Sequence, residues 1–373
     1  MDYQMIERPE LRKVQNFDFF YREFREILRK IALEMDETDT LLLNISSGTP
    51  AMKSGLLVLR TLGEYPSKLI QVITPDKRMN EHIHKGYDVK TLWELDEDNE
   101  RNFENRCVEV SCPTLSALKN KEIIKKHIIA YDYQAAVTVM DSMSSADTTS
   151  FRKLIEMGAA RLLLDFKQVD TLQEQIQTVF IPVRDGNKRK YFEYALILDI
   201  KLKRKEYADF LRAVTPLIAD LFELIIDKQF GIKIDAFCSA NVQARKWSLE
   251  KLSAGDGKLL EILEGGYRDR GGFKFGAVNS DSLLAIIVGK SQDENLKQLA
   301  SDLRDVEMKV RNIAAHEIIS ITDDVIAEKT GFTSVKIFKK LKSLFAYTNI
   351  NVKKDDWESY DKMNQKIIEA MED

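Results

Sequence analysis

One short segment of the sequence carries residues that could do chemistry together. It reads R-N-I-A-A-H and contains Arg311, Asn312 and His316. A histidine side chain has a pKa of about 6.5 and can move protons near neutral pH, while an arginine guanidinium can hold the negative charge of a pentavalent phosphate. These residue types suit cleavage of RNA by the substrate's own 2′-hydroxyl, without a metal ion.

The spacing decides how such a site would have to be built. On a regular helix Asn312 and His316 share a face, whereas Arg311 stands about 140° of rotation from His316. One helix cannot readily aim all three side chains at one point. Two copies of the chain could, because a two-fold axis brings the same patch of each copy together. An exposed helical arginine beside a half-buried histidine would give the same spacing, so the pattern alone leaves a structural role open.

A second candidate site lies in the stretch L-L-L-N-I-S-S-G-T-P-A-M-K-S-G-L-L-V-L, residues 41–59. The apolar run predicts a buried strand that ends in a turn, and Thr49 and Pro50 fit the cap and the first position of a helix. At the carboxyl edge of a parallel sheet such a junction favours a phosphate, although many such junctions bind nothing. The glycine spacing fits neither a P-loop nor a dinucleotide fingerprint. The loop consists of Ser46, Ser47, Gly48 and Thr49.

The elements around this loop predict an α/β domain over residues 1–117. A strand over 68–74, which ends at Thr74, should lie beside the loop if the two strands are neighbours in a right-handed crossover. His82 and His84 follow in a charged stretch without a third ligand, which favours a solvated loop over a metal site. Hydrophobic spacing predicts the other elements of this domain, which are helices over 11–35 and 49–63 and a strand over 106–110.

From about residue 118 onward, apolar residues at helical spacing replace the strand signal. We predict a helical linker over 118–200 and an all-α domain over 201–373. Pro216 is expected to kink the strongest helix, at 205–229. The other predicted helices cover 121–140, 149–166, 168–178, 281–289, 293–320, 323–330, 334–346 and 355–371.

Composition excludes several classes of protein. A formal net charge of −4 over 373 residues rules out a uniformly basic nucleic-acid coat. Cys107, Cys112 and Cys238 lack the spacing of a metal site or a disulfide framework, which suits a reducing compartment. No apolar run approaches the length of a membrane span, and the polar start does not read as a signal peptide. We therefore expect a cytoplasmic protein with no membrane association.

Two basic and aromatic segments could contact single-stranded nucleic acid. Lys188–Phe192 interleaves cations with aromatic rings, although a helix start with a wet face is the more common origin of this pattern. The segment Gly265–Phe273 resembles an arginine-glycine RNA-binding element, but it occurs once, and a mobile loop is the favoured interpretation.

The segment 323–341 offers an alternative function. Ala327, Gly331 and Ile337 have the spacing of a helix-turn-helix, which would indicate a ligand-controlled transcription regulator. Two helices of an α-bundle joined by a glycine give the same pattern and are preferred. The second helix would be basic enough for a DNA groove because it carries Lys336, Lys339, Lys340 and Lys342.

A resemblance to a known family adds to these patterns. The segment N-I-S-S-G-T-P-A-M-K-S-G-L, followed by I-Q-V-I-T-P, resembles the ligand loop and next strand of CARF domains. The R-N-x-x-x-H segment resembles the R-x(4-6)-H motif of HEPN ribonucleases. Both motifs in this order, joined by a helical middle, resemble the ancillary ribonuclease of type III-A CRISPR systems, from about residue 11 onward. The fold implied is a Rossmann-like α/β CARF domain, a helical linker and an all-α HEPN domain.

The resemblance also implies an activity and a set of residues. Family members are homodimers in which paired CARF domains bind a cyclic oligoadenylate, here expected to be the hexa- or tetra-adenylate. Paired HEPN domains then cut single-stranded RNA without a metal or other cofactor, and no stable complex with the CRISPR effector is expected. Arg311 and His316 would be catalytic, with Asn312 supporting them. The residues that would contact the ligand are Ser46, Ser47, Gly48, Thr49 and Thr74.

The sequence departs from the family pattern at its start. Family members usually begin with a further strand-helix-strand unit whose first loop supplies part of the ligand pocket, and this sequence starts after it. We therefore expect an N-terminally short CARF domain. A catalytically inactive sensor that only binds the cyclic nucleotide stays open as a further alternative.

Overall fold

The computed structural model describes residues 4–63, 65–73, 88–95, 99, 101–176, 178–239, 245–254, 257–316 and 320–372. At 89, 92, 93 and 310–316 it describes the backbone alone. The chain divides into two compact units, residues 1–122 and 123–373. None of the helices in the described ranges combines the length and apolar content needed to cross a bilayer.

The first unit is built on a three-stranded sheet. Strand β1 (Leu42–Asn44) runs parallel to β2 (Lys68–Val72), and β3 (Cys107–Val110) pairs antiparallel on the other side of β2. Its small core contains Leu28, Leu43, Leu59 and Leu69, all buried. The three strands predicted for this domain are confirmed. The α-helices described before residue 113 are α1 (Phe17–Glu34), α2 (Pro50–Leu62) and α3 (Val89–Glu94).

Local capping explains where the first two helices begin and end. The Asn16 side chain accepts a hydrogen bond from Phe19 N at 3.1 Å, so α1 begins six residues later than the predicted start at 11. Thr49 caps α2 in the same way, and Gly63 ends this helix with a left-handed φ of 72°. The predicted helix over 49–63 is confirmed.

From residue 113 onward the structure is almost entirely helical. The predicted helix over 121–140 is wrong in one respect, because Tyr131 adopts a left-handed φ of 56° and Asp132 caps a new helix. The α-helices described between residues 113 and 204 are α4 (Pro113–Ile129), α5 (Tyr133–Asp141), α6 (Ser145–Thr148), α7 (Arg152–Leu162), α8 (Phe166–Gln175) and α9 (Gly186–Lys203).

A central helix, α10 (Tyr207–Phe230), organises the rest of the chain. It buries nine side chains, including Leu217, Leu221 and Ile225, and contains Pro216. Helices α9, α13, α14 and α16 pack against it. The elements that follow α10 are β4 (Cys238–Ser239), β5 (Lys246–Trp247), α11 (Leu249–Ser253), α12 (Lys258–Tyr267), α13 (Ser280–Lys290), α14 (Glu294–His316), α15 (Asp323–Thr330), α16 (Ser334–Phe345) and α17 (Ser359–Glu372).

The all-α character predicted for this region is confirmed, with one addition. Strands β4 and β5 pair antiparallel over two residues each, and Lys246 also forms a bridge to Ala277. Strands this short leave too little hydrophobic periodicity for a sequence pattern to reveal them.

A buried ion pair joins helices that are distant in sequence. The Arg161 guanidinium on α7 donates two hydrogen bonds of 3.1 Å to the Glu193 carboxylate on α9, and both side chains are almost fully buried. The same guanidinium donates to Ser359 Oγ at 3.0 Å and lies 4.0 Å from the centre of the Tyr360 ring on α17. Burial raises the pKa of the Tyr360 hydroxyl, which keeps it neutral.

The structure places the first segment considered for nucleic-acid contact within a helix and the second partly so. Lys188–Phe192 lies in the first turns of α9, as the preferred interpretation of a helix start expects. Arg189 is buried rather than solvent-exposed, and its guanidinium lies 4.7 Å from the Phe166 ring and 2.5 Å from Asp170. The interpretation of Gly265–Phe273 as a loop is wrong for residues 265–270, which complete α12 and form a 3-10 turn. The Asp281 carboxylate accepts hydrogen bonds from Tyr267 and Arg270.

Helices α15 and α16 form the preferred bundle arrangement. Gly331 joins them with a left-handed φ of 85°, and Ile337 is fully buried. The Lys340 ammonium lies 2.6 Å from Asp302 on α14, and Lys342 lies over the Trp357 ring at 4.6 Å. Two of the four lysines considered for DNA binding therefore contact the protein itself.

Candidate active site and ligand loop

The loop after β1 is held by hydrogen bonds that sequence reasoning did not predict. Ser46 N donates to the Asn44 side chain at 2.9 Å, and the Ser46 hydroxyl donates to the same oxygen at 2.5 Å. The hydroxyl also accepts from Val72 N at 2.7 Å. Since Val72 ends β2, the Ser46 side chain joins the carboxyl ends of the two parallel strands. The prediction that the end of the second strand lies beside the loop is confirmed as far as Ile73. Thr74, His82 and His84 lie outside the described residues.

The second half of the loop is fixed by Thr49 and Lys53. The Thr49 hydroxyl accepts from Met52 N at 3.3 Å and donates to the Val14 carbonyl at 2.8 Å. The Lys53 ammonium donates to the Ser46 carbonyl at 3.0 Å. The sequence analysis assigned no role to Lys53. Its position in the first turn of a Thr-capped helix, directly after a Ser-Ser-Gly loop, could have marked it as a candidate.

The tip of the loop has the properties of an anion site. Ser47 and Gly48 are exposed, and their backbone amides donate no hydrogen bond to any described residue. Gly48 has a φ of 104°, a left-handed conformation that residues with a side chain rarely adopt. Phosphate sites in other proteins are built from free backbone amides, helix N-termini and cationic side chains. The tip of this loop offers two free amides, the N-terminus of α2 and the Lys53 ammonium.

The residues of the R-N-I-A-A-H segment lie on the last turns of α14. This helix continues without a break from Glu294 to His316, so the regular geometry assumed for Arg311, Asn312 and His316 holds. Positions 311 and 316 are about 140° apart around the axis and about 7.5 Å apart along it. Their side chains lie outside the described part of the structure.

The part of α14 before these residues is firmly anchored. Glu307 and Leu303 are buried, and the Arg304 guanidinium lies 3.2 Å from Glu307 and 3.6 Å from Asp281 on α13. Lys309 Nζ donates to the Thr330 carbonyl at the end of α15 at 3.5 Å. Among the side chains that the structure describes, no group of three or more histidine, cysteine or acidic residues is placed to hold a metal ion.

Comparison with known proteins identifies the family. A model of the HEPN domain of Cas Csm6 matches residues 180–368, which is just over half of the chain. The chain belongs to the Csm6 family. Models of the Csm6 CARF domain and of the Csm6 6H domain match residues 2–107 and 110–162. The predicted family, fold class and domain content are confirmed, whereas the exact boundaries proposed at 117 and 200 stay predictions.

Csm6 relatives agree with this assignment. The CRISPR system endoribonuclease Csm6 of Mycobacterium tuberculosis is 28% identical over 370 residues, which cover 96% of this chain and 81% of the relative. The CRISPR system endoribonuclease Csm6′ of Streptococcus thermophilus is 25% identical over 241 residues, covering 61% of this chain and 56% of the relative. The predicted enzyme class, an endoribonuclease, is confirmed at the level of the family.

A solved Csm6 structure has the same fold. Enterococcus italicus Csm6, bound to cyclic hexa-2′-fluoro-hexa-dAMP, superposes with a TM-score of 0.66 over 96% of this chain and 82% of that chain. The sequence identity is 17%, so this likeness concerns the fold.

Proposed function

We propose that this chain is a single-stranded RNA endoribonuclease of type III CRISPR antiviral defence, activated by a cyclic oligoadenylate and independent of metal ions. Its catalytic residues are Arg311, Asn312 and His316 from two copies of the chain. The observation that carries the proposal is the unbroken course of α14 to His316 within the segment matched as a Csm6 HEPN domain. We also propose that it works in the cytoplasm as a homodimer, without a membrane and without a stable complex with the CRISPR effector.

The helical geometry supports a site made by two copies. At 100° per residue, positions 312 and 316 lie on the side of α14 opposite Leu303 and Glu307, whose side chains are buried. Met308 is half exposed, and its position is about 40° from that of Asn312. Position 312 therefore lies away from the buried side of α14. We propose that a second copy of the chain completes the site there.

The proposed reaction needs two proton transfers and charge stabilisation. One histidine removes the proton of the 2′-hydroxyl, whose oxygen attacks the adjacent phosphorus. The bond from phosphorus to the 5′-oxygen breaks, and the other histidine protonates that leaving oxygen. The two arginines hold the charge of the pentavalent phosphate. The products are a 2′,3′-cyclic phosphate and a 5′-hydroxyl.

The loop after β1 is the proposed site of the activator. Cyclic hexa-adenylate or tetra-adenylate would place a phosphate against the free amides of Ser47 and Gly48. Ser46, Thr49 and Thr74 complete the proposed contacts, and Lys53 supplies a positive charge. The bound molecule named for the Enterococcus italicus structure, a cyclic hexanucleotide analogue, supports this class of ligand.

A cleavage assay tests the proposal. Fluorescent single-stranded RNA is incubated with the protein, with each cyclic oligoadenylate or none, and with or without a chelator. We expect cleavage that one cyclic ligand stimulates and the chelator leaves unchanged. His316→Ala should abolish cleavage, whereas His127→Ala, a matched change in α4, should not. Retained cleavage by pure His316→Ala protein would reject the catalytic assignment.

A further inference from the structure

The segment that follows α12, residues 268–276, exposes aromatic and cationic side chains. The rings of Trp247, Phe273 and Phe275 form a chain of edge-to-face contacts, with centroids 6.3 Å and then 5.2 Å apart. Trp247 is buried, whereas 37% of Phe275 is exposed. The outer ring therefore rests on a buried base and presents part of its surface to solvent.

Backbone hydrogen bonds hold this segment in place. Gly272 N donates to the Tyr267 carbonyl at 3.0 Å, and Gly276 N donates to the Lys274 carbonyl at 2.7 Å. Gly276 accepts from Trp247 N at 3.0 Å. Its aromatic side chains are thus positioned before any ligand arrives, which lowers the entropic cost of binding.

Two cations of the segment have no partner within the described ranges. The side chains of Arg268 and Lys274 are exposed and form neither an ion pair nor a hydrogen bond with described residues. Arg270, by contrast, is engaged by Asp281 at 3.2 Å. Asp269 contributes one exposed negative charge. Arg268 and Lys274 are therefore the cations available to an anionic ligand.

Helix packing links this segment to the middle of α14, about two turns before the catalytic motif. Gly266 approaches Ala285 and Gly289 approaches Ile262, so α12 and α13 run antiparallel. Asp281, in the first turn of α13, lies 3.6 Å from Arg304 on α14 and 3.2 Å from Arg270 within the segment. Arg304 precedes Arg311 by seven residues, which is about 10 Å along the helix.

We propose that Arg268, Lys274 and Phe275 form a binding platform for the single-stranded RNA substrate beside the catalytic motif. Phe275 stacks on one base, and Arg268 and Lys274 pair with flanking phosphates. An exposed aromatic ring together with unpaired cations is the combination that binds single strands, because every base has a face to stack and every linkage has a charge. This inference rests on the proposed function, since it takes the nuclease substrate as the ligand.

Equilibrium binding tests the platform apart from catalysis. In a His316→Ala background, fluorescence anisotropy measures the affinity for a short labelled single-stranded RNA of mixed sequence, with cyclic hexa-adenylate present. Phe275→Ala should weaken binding about fivefold to a hundredfold, the range measured for loss of one stacked base. Phe275→Tyr should bind normally. Phe275→Leu keeps an apolar side chain but removes the ring, so it should also lose affinity for the RNA. It replaces Phe275→Ala in the test if that variant does not fold.

Charge variants and a salt titration supply the second arm. Arg268→Gln with Lys274→Gln should reduce the slope of log affinity against log salt by about 1.4, or roughly 0.7 for each phosphate released. Lys336→Gln with Lys339→Gln, two exposed lysines on α16, is the charge-matched control and should bind as the parent does.

Each failure has its own signature. Parent-like affinity for single-stranded RNA in both the Phe275 variants and the charge variants would overturn the platform. It would also be overturned if Phe275→Ala lost as much affinity for duplex RNA as for single-stranded RNA, because the bases of a duplex cannot stack on the ring. Neither result bears on catalysis. Retained cleavage by His316→Ala protein would reject the catalytic residues and leave the binding result standing.

Discussion

Removal of the Glu193 charge is the most direct test of how the helical unit is held together. The Glu193→Gln substitution keeps the shape of the side chain but leaves the buried Arg161 guanidinium without its counterion. Both side chains are about 2% exposed or less, so water cannot replace the lost partner. Breaking a buried pair from one side costs about 3–5 kcal/mol in the free energy of unfolding.

This cost translates into a large thermal shift. Each kcal/mol lowers the melting temperature of a unit of this size by about 2–4 °C, so we expect a decrease of roughly 6–20 °C. Circular dichroism at the helical band measures the transition. Glu294→Gln is the matched control, because Glu294 pairs with Lys297 while 82% exposed. That change should cost about 0.5 kcal/mol or less.

A double variant checks the cause of the loss. Arg161→Met with Glu193→Leu removes both charges and should recover most of the stability that Glu193→Gln loses, because no unpaired ion is left in the interior. Equal melting temperatures for Glu193→Gln and Glu294→Gln would contradict this role of the ion pair. A double variant less stable than Glu193→Gln would also contradict it.

Three further changes test other parts of the structure. Gly289→Ala should lower the free energy of unfolding by about 1–3 kcal/mol in a denaturant titration, because its new carbon would lie 2.5 Å from Ile262. Gly265→Ala is the control and should be neutral or slightly stabilising, because its new carbon meets open space. Equal effects of the two changes would contradict the packing of α12 against α13. Lys53→Met should weaken cyclic oligoadenylate binding about tenfold by calorimetry with little loss of stability, and unchanged affinity would remove Lys53 from the site. Ser46→Ala should cost about 0.5–1.5 kcal/mol, since Val72 N loses its acceptor, and an unchanged unfolding midpoint would contradict this.

Features fixed by neighbouring residues could be predicted from the sequence. Thr49, Pro50 and Gly63 define both ends of α2 through local hydrogen bonds and backbone preferences, and the structure places them as expected. The break at Tyr131 escaped prediction, because a left-handed tyrosine carries no sequence signal of its own.

Features that depend on distant partners could not be predicted. The side chains of Tyr267 and Arg270 donate hydrogen bonds to Asp281, which lies beyond the segment after α12. Spacing marked Arg311 and His316 as candidates, yet their use requires a second copy of the chain, and no property of one sequence fixes how two copies meet.

The Ser46 hydroxyl has a consequence for any ligand of the loop. Its proton is given to Asn44 and it accepts from Val72 N, so both of its roles are taken before a guest molecule arrives. A phosphate oxygen can receive that proton only if Asn44, the last residue of β1, gives it up. A guest that takes the Ser46 proton therefore replaces the contact with Asn44, while the bond from Val72 N that joins the two strand ends can stay in place.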